Sequence, residues 1–362
     1  MAPIQAGIIH VYRTGPSSEW HTTCEAKLLA SPSPLEKQIP EKRQIITIDI
    51  PKECQMDRRQ FINKGIGAGI LAGTSLLWGK QNSIFGRTLP PSSSSYDLVA
   101  VRGGEPHVMF DKAIESLGGM KQFITKGQAV VVKPNIGWDV SPERAGNTNP
   151  KLVKRIIEHC FNAGAKEVYV FDHTCDNWTR TYKNSGIEQA AKEAGAKVVS
   201  GETEGYYQEV AIPGGKSLQK AKVHELLLGS NVLINVPILK VHDGARATIS
   251  MKNFMGVVWD RSYWHRNNLQ QCIADFATYC KPTLNVVDAY NVMKANGPRG
   301  TSVDDVVSMK SLLLSRDIVT ADAAAAKLLG FEPEEIEHIK IANEMRIGRM
   351  DLSSLSINRI KL

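Results

Sequence analysis

From residue 96 onward the chain alternates short apolar runs with amphipathic stretches, whereas the segment before it has no regular period. Residues 97–102 form an apolar run that predicts a strand, followed by a helix near residues 108–117. Residues 128–132 are a β-branched run, as expected for a strand buried on both faces. Asn149-Pro150 opens a helix to Ala163, with Pro at the first-turn position that tolerates it. Further strands are predicted at residues 167–171, 232–236, 284–287 and 312–314, and a helix at residues 186–194. Residues 201–220 are less regular and read as a hairpin or small insertion. Strands alternating with helices predict an α/β fold: a mainly parallel twisted sheet with flanking helices in a Rossmann-like layered architecture.

Polar residues follow the strands in a consistent way. Lys133 and Asn135 come after the second strand, Asp172 and His173 after the third, and Asp288 after residues 284–287. Lys240, His242 and Arg246 fall in a predicted loop after residues 232–236. Ligands of open α/β sheets bind beyond the carboxyl ends of the strands, so four strands deliver chemistry toward one edge. Any one of these residues could be solvated loop; their coincidence argues for a shared site. Lysines and Arg246 suit an anion, while Asp172, His173 and Asp288 could hold a divalent metal or serve as acid and base.

Charge and cysteines narrow the classes. The formal net charge is +7, but residues 1–96 carry 11 Lys/Arg and 7 Asp/Glu, leaving 33 against 30 in the rest. The part with the α/β pattern is near neutral and has no basic run interleaved with aromatics, so a nucleic-acid partner is not expected. Six cysteines without any C-x-x-C pair cannot supply an iron–sulfur cluster or structural zinc. No G-x-S-x-G elbow and no phosphate-binding G-x-x-x-x-G-K-[ST] loop occur, and His224-Glu225 lacks the second His of a zinc protease.

The first third reads as delivery. Met56-Asp-Arg-Arg-Gln-Phe is followed by a charge-free run from Gly65 to Trp78, and this resembles a twin-arginine export signal over residues 56–80. The run falls short of the ~20 apolar residues that span a bilayer. Its glycines follow no strand, so they are not a dinucleotide fingerprint. The expected partner is the twin-arginine translocation machinery, with a periplasmic or outward-facing product. Membrane contact would come only through an uncleaved anchor, since no Ala-x-Ala site follows. Residues 1–55 read as an over-extended start, an idea that peptides from this stretch in the native host would overturn. Residues 81–96, rich in Ser and Pro, read as a linker.

The run VPILKVHDGARATISMKNFMG at residues 236–256 is the most distinctive in the chain. With Lys133-Pro-Asn135, Asn147-Thr-Asn-Pro150, His265, Asp288, Gly297-Pro298, and Asp322 before Leu329-Gly330, it resembles the domain of unknown function 362 family over residues 97–348. Residues 349–362 are left as a tail. The resemblance points to Lys133, Asn135, Asp172, Lys240, His242, Lys252, Asn253, His265, Asp288 and Asp322 without assigning roles. Some family members carry iron–sulfur modules, which these cysteines cannot build.

From the residue types, His242, Lys240 and Lys133 are the candidate catalytic groups, with His242 as general base or metal ligand. Asn135, Arg246, Lys252, Asn253 and His265 are candidate ligand-binding groups. Asp172, His173, Asp288 and Asp322 are candidate metal ligands. Each has a structural alternative: Asn253 as a helix cap, Gly256 as a helix stop, Asp322 as a first-turn acid. Two functions fit: an exported enzyme acting on a small carboxylate or phosphate ligand with metal assistance, or a non-catalytic protein binding such a ligand in the same crevice.

Overall fold

The computed structural model describes residues 96–362. The export segment, the linker up to residue 95 and the N-terminal extension lie outside the described residues. In chain order the strands and longer helices are β1 (Leu98–Arg102), α1 (Pro106–Ser116), β2 (Ala129–Pro134), α2 (Pro150–Asn162), β3 (Glu167–Val170), α3 (Trp178–Asn184), α4 (Ile187–Glu193) and β4 (Lys197–Val198). There follow β5 (Tyr207–Ala211), β6 (Lys220–His224), α5 (Glu225–Gly229), β7 (Val232–Val236), β8 (Ile238–His242), β9 (Arg246–Thr248), α6 (Ser250–Asn253), α7 (Arg261–Arg266) and α8 (Leu269–Tyr279). The last are β10 (Leu284–Met293), β11 (Val306–Ser315), α9 (Ile318–Leu329), α10 (Glu337–Glu344) and β12 (Ile357–Lys361).

The main sheet has the order β12-β1-β11-β10-β7-β2-β3-β4, with β8 joining β10 and β9 joining β8. Strands β4, β3, β2, β7 and β10 run parallel; β11 is antiparallel to both neighbours, and β12 is parallel to β1. The α/β class with a mostly parallel sheet and flanking helices is therefore the observed one.

The strands read as apolar runs because both faces are covered. Val130 and Val132 join a core with Phe110 of α1, Ile156 of α2 and Ile187 of α4. Val131, between them, is equally buried but takes no part in that core, as the period of two requires. Helix α9 packs on β10 and β11. Its start is set by Asp317, whose carboxylate accepts from the amides of Val319 and Thr320, and its end by Gly330 in the left-handed region at φ 92°. Asn149 caps α2 by accepting from Lys151 N.

Several elements differ from the sequence expectation. The predicted loop after β7 is strand β8, which places Lys240 and His242 on a strand: Pro237 interrupts β7, and the chain then pairs with β10. Strand β11 begins six residues before its apolar run, because its first half is largely exposed and carries no hydrophobic signal. Residues 201–220 contribute to a two-stranded hairpin, β5–β6. Part of the tail is β12, whose alternation is half-buried and weak. Among the described residues no helix is long and apolar enough to cross a membrane.

Candidate functional site

Polar side chains converge where the parallel strands end. Lys133 is the fifth residue of β2 and fully buried. Its ammonium meets Asp172 Oδ1 at 2.8 Å and donates to Pro134 O at 2.8 Å and Asn253 Oδ1 at 2.9 Å. Asp172, just past β3, accepts from Ile136 N at 2.6 Å through Oδ2; its Oδ1 takes no hydrogen bond and faces the ammonium. The Tyr182 hydroxyl accepts from Asp172 N at 2.7 Å and donates to its carbonyl, bracing this turn from α3. Burial lowers the proton affinity of Lys133, and Asp172 opposes that. Gly256 closes the pair from above. A Cβ there would collide with Asp172 Oδ1 and stand 2.8 Å from the Lys133 ammonium, so Gly256 is a close-approach glycine, beyond a helix stop.

Asn253 is the hub. Its Oδ1 accepts from Lys133 and from Asn135 Nδ2 at 3.0 Å, while its Nδ2 donates to Asn235 Oδ1 at 2.9 Å. Asn235 passes the pattern on to Asn285 Oδ1 at 3.1 Å, and Asn285 donates to Ser315 O at 3.3 Å. A row of three amides thus crosses from the α6 end to β11. Asn253 closes α6 and precedes a 3-10 turn, Phe254–Val257, but its side chain makes no capping hydrogen bond there.

Two further lysines complete the cluster. Lys240 donates to Asn135 Oδ1 at 3.2 Å and Gly146 O at 2.6 Å. Burial, reinforced by the charges of Lys252 and Lys133, pushes its pKa down to about 7 against the pull of Cys175 and Asp172. Lys252 is 8% exposed, and its ammonium donates to the Met255 thioether at 3.1 Å, a weak acceptor. Burial, then the charges of Arg261 and Lys133, lowers its pKa to about 8 against the pull of Cys175.

His242 and His265 border this cluster. Burial, with Lys252 and Lys240 next in weight, pushes His242 down to about 3, so the ring is neutral. Its Nδ1 accepts from Gly244 N at 3.1 Å and Ala245 N at 3.2 Å, leaving the proton on Nε2. That tautomer makes Nε2 a donor, where a general base was expected. His265 sits on the exposed side of α7; partial burial, then Lys252 and Arg261, lowers its pKa.

The other expected residues are placed apart. Arg246, at φ 60°, stacks its guanidinium over Phe331 at 4.8 Å and pairs with Glu335 at 3.4 Å. Asp288 accepts from Asn149 N at 2.7 Å and Tyr290 N at 3.1 Å, and burial raises its pKa to about 6. Asp322 accepts from Ser250 N at 2.7 Å and Met251 N at 3.0 Å, tethering the start of α6, and burial raises it to about 7. His173 donates from Nδ1 to Val258 O and stacks on Trp259, centroids 5.0 Å apart. The four candidate metal ligands are therefore not gathered. Among the described residues no group of three or more His, Cys, Asp and Glu is placed to hold a metal ion.

Sequence reading missed Asn235, Asn285, Tyr182, Cys175 and Arg261. The two asparagines had a usable signal, a polar residue inside the apolar runs VLINV and LNVVD. Arg261 had none: its guanidinium donates to His173 O at 2.8 Å, Thr174 O at 2.6 Å and Cys175 Sγ at 3.4 Å, across 86 residues of chain in the last case.

A family model described as a domain of unknown function, DUF362, matches residues 130–327, which contain almost all of this cluster. A thylakoid-associated protein of Synechocystis sp. is 24% identical over 243 residues, covering 65% of this chain and 73% of the relative. The solved lactate racemase apoprotein from Thermoanaerobacterium thermosaccharolyticum aligns with a TM-score of 0.43 at 11% identity, over 65% of this chain and 57% of that one.

Proposed function

For a chain that belongs to the domain of unknown function family DUF362, we propose that the strand-end crevice binds a small carboxylate or phosphate and acts on it by lysine-based proton transfer. The observation that carries this reading is Lys252, an ammonium more than nine-tenths buried that donates, among the described residues, to the Met255 thioether. A buried cation without an oxygen partner is costly unless an anion completes it. Lys240, poised near neutrality, is the group suited to give or take a proton there. The neutral His242 would donate from Nε2 to the same ligand. Lys133 already pairs with Asp172, so positive charge is supplied by side chains in this reading. Non-catalytic binding is the second reading, supported by the hydrogen bonds that already hold Lys133 and Lys240.

Titration calorimetry with inorganic phosphate and with succinate tests the anion reading. Lys252→Met is expected to weaken binding roughly tenfold or more, the loss of one charge-assisted hydrogen bond. Wild-type affinity should fall as pH rises through about 8, where the Lys252 ammonium loses its proton. Unchanged binding in the variant would remove the basis of the proposal.

Delivery outside the cytoplasm belongs to the same proposal and rests on Arg58-Arg59 before the apolar run to Trp78. Replacing both arginines by lysine should retain the protein in the cytoplasmic fraction of its host; continued export would refute that route.

A further inference from the structure

We infer that Lys240 is a carbonyl-capturing amine, which condenses with a small aldehyde or ketone carrying a carboxylate or phosphate to form a Schiff base. This rests on the anion reading above and gives that ligand its reactive group. Lys240 is 1% exposed, and its nitrogen donates to Asn135 Oδ1 at 3.2 Å and Gly146 O at 2.6 Å. Both acceptors are uncharged amide oxygens. A neutral amine has two N–H bonds and one lone pair, so these two hydrogen bonds use its donors and leave the lone pair at the third position. Lys133, by contrast, has the Asp172 carboxylate at 2.8 Å to hold its charge. Burial without such a carboxylate favours the uncharged form of Lys240, in accord with a pKa of about 7. A desolvated lysine beside other cations is the setting in which an amine becomes a nucleophile toward carbonyls.

The second observation is independent of Lys240. Lys252 is more than nine-tenths buried and donates, among the described residues, to the Met255 thioether, so its ammonium still lacks an oxygen acceptor. Asn135 ties the two lysines together. Its Oδ1 holds Lys240, its Nδ2 donates to Asn253 Oδ1 at 3.0 Å, and Lys252 directly precedes Asn253 in α6. One lysine thus anchors the anionic arm while the other meets the carbonyl. Asn135 and His242 are half-buried, so solvent reaches the residue that touches the Lys240 nitrogen. His242 lies two residues along β8 and shares the face of Lys240, where its Nε2–H can donate to the carbonyl oxygen. In the step itself, the nitrogen lone pair forms an N–C bond and the carbonyl π pair moves to oxygen. The two amine hydrogens leave with that oxygen as water, and the nitrogen closes the C=N bond. One C=O is exchanged for one C=N with no change in oxidation state.

Succinic semialdehyde and butanal make a matched pair of probes, two aldehydes of one chain length that differ by a carboxylate. Each is incubated with the full wild-type chain and cyanoborohydride near neutral pH, which reduces an imine to a stable secondary amine, and the modified lysines are located by peptide mass spectrometry. Lys240 should be modified roughly tenfold or more faster than the exposed Lys121 and Lys126, since an ordinary lysine is almost wholly protonated there. At Lys240 the rate ratio of succinic semialdehyde to butanal should exceed the ratio at those exposed lysines by roughly tenfold or more. Inorganic phosphate or succinate should suppress the labelling, and the stronger competitor identifies the anionic arm. The comparison is made within one chain and needs no variant to fold. Labelling of Lys240 no faster than that of Lys121 and Lys126, or labelling of Lys252 in its place, overturns the inference. Phosphate and succinate calorimetry on the same protein separates the two readings. Binding without trapping at Lys240 leaves the anion site standing and removes the Schiff base; binding of neither anion removes the anion site and with it the ligand class inferred here.

Discussion

Lys133 and Asp172 show what a buried ion pair asks of its neighbours. Neither side chain is more than 3% exposed, and the ammonium also donates to Pro134 O and Asn253 Oδ1. Removing one partner leaves the other charge stranded, a loss of about 3–5 kcal/mol, whereas removing both charges is often nearly neutral. Lys133→Met alone should therefore destabilise more than Lys133→Met combined with Asp172→Asn, as read by urea denaturation. Additive losses would show that the two charges do not depend on each other. At this scale the sequence was informative about identity and silent about partners. Lys133, Asn135, Asp172 and Lys240 were legible as polar residues after strands, and Lys252 and Asn253 through the family resemblance. That Asn253 would join two of the lysines through Asn135 depended on contacts more than 100 residues apart.

Helix α6 is four residues long and too short to be stable by its own hydrogen bonds. It is held from outside: Asp322 of α9 grips its first two amides, and Asn253 ties its last residue to β2 and β7. Burial raises the folded-state pKa of Asp322 to about 7 from an ordinary 3.8. For a carboxyl raised on folding, the stability it lends is full below pH ~4 and is lost as pH climbs toward 7. Asp322→Asn leaves Met251 N without its acceptor and should cost roughly 1–3 kcal/mol at low pH. The gap between wild type and variant should narrow between pH ~4 and ~7 in denaturation experiments; a gap constant with pH would mean that Asp322 stays charged throughout. The strands buried on both faces were readable because their side chains repeat one chemistry. Strand β8 was not, since Pro237 and the polar Lys240 and His242 mimic a loop, and its pairing with β10 is a tertiary fact.

Across the whole molecule, the parallel strands with their α1, α2 and α4 layer were foreseeable from alternation alone, while the antiparallel β11 and the edge strand β12 were not. Half-exposed strands carry too little hydrophobic contrast to announce themselves, and direction in a sheet is fixed by connections. The row Asn253–Asn235–Asn285 runs from α6 into the sheet, and its direction has a consequence. Each amide turns its oxygen toward the Lys133 side and its NH2 toward β11, ending on Ser315 O. Three group dipoles are therefore aligned head to tail with their negative ends facing a buried cation. They spread part of its neutralisation over three elements without adding a second carboxylate, and each polarises the next. Reversing one amide would set NH2 against NH2 on one side and oxygen against oxygen on the other. The row therefore behaves as a single polar unit, through which β11 helps hold the charge on Lys133.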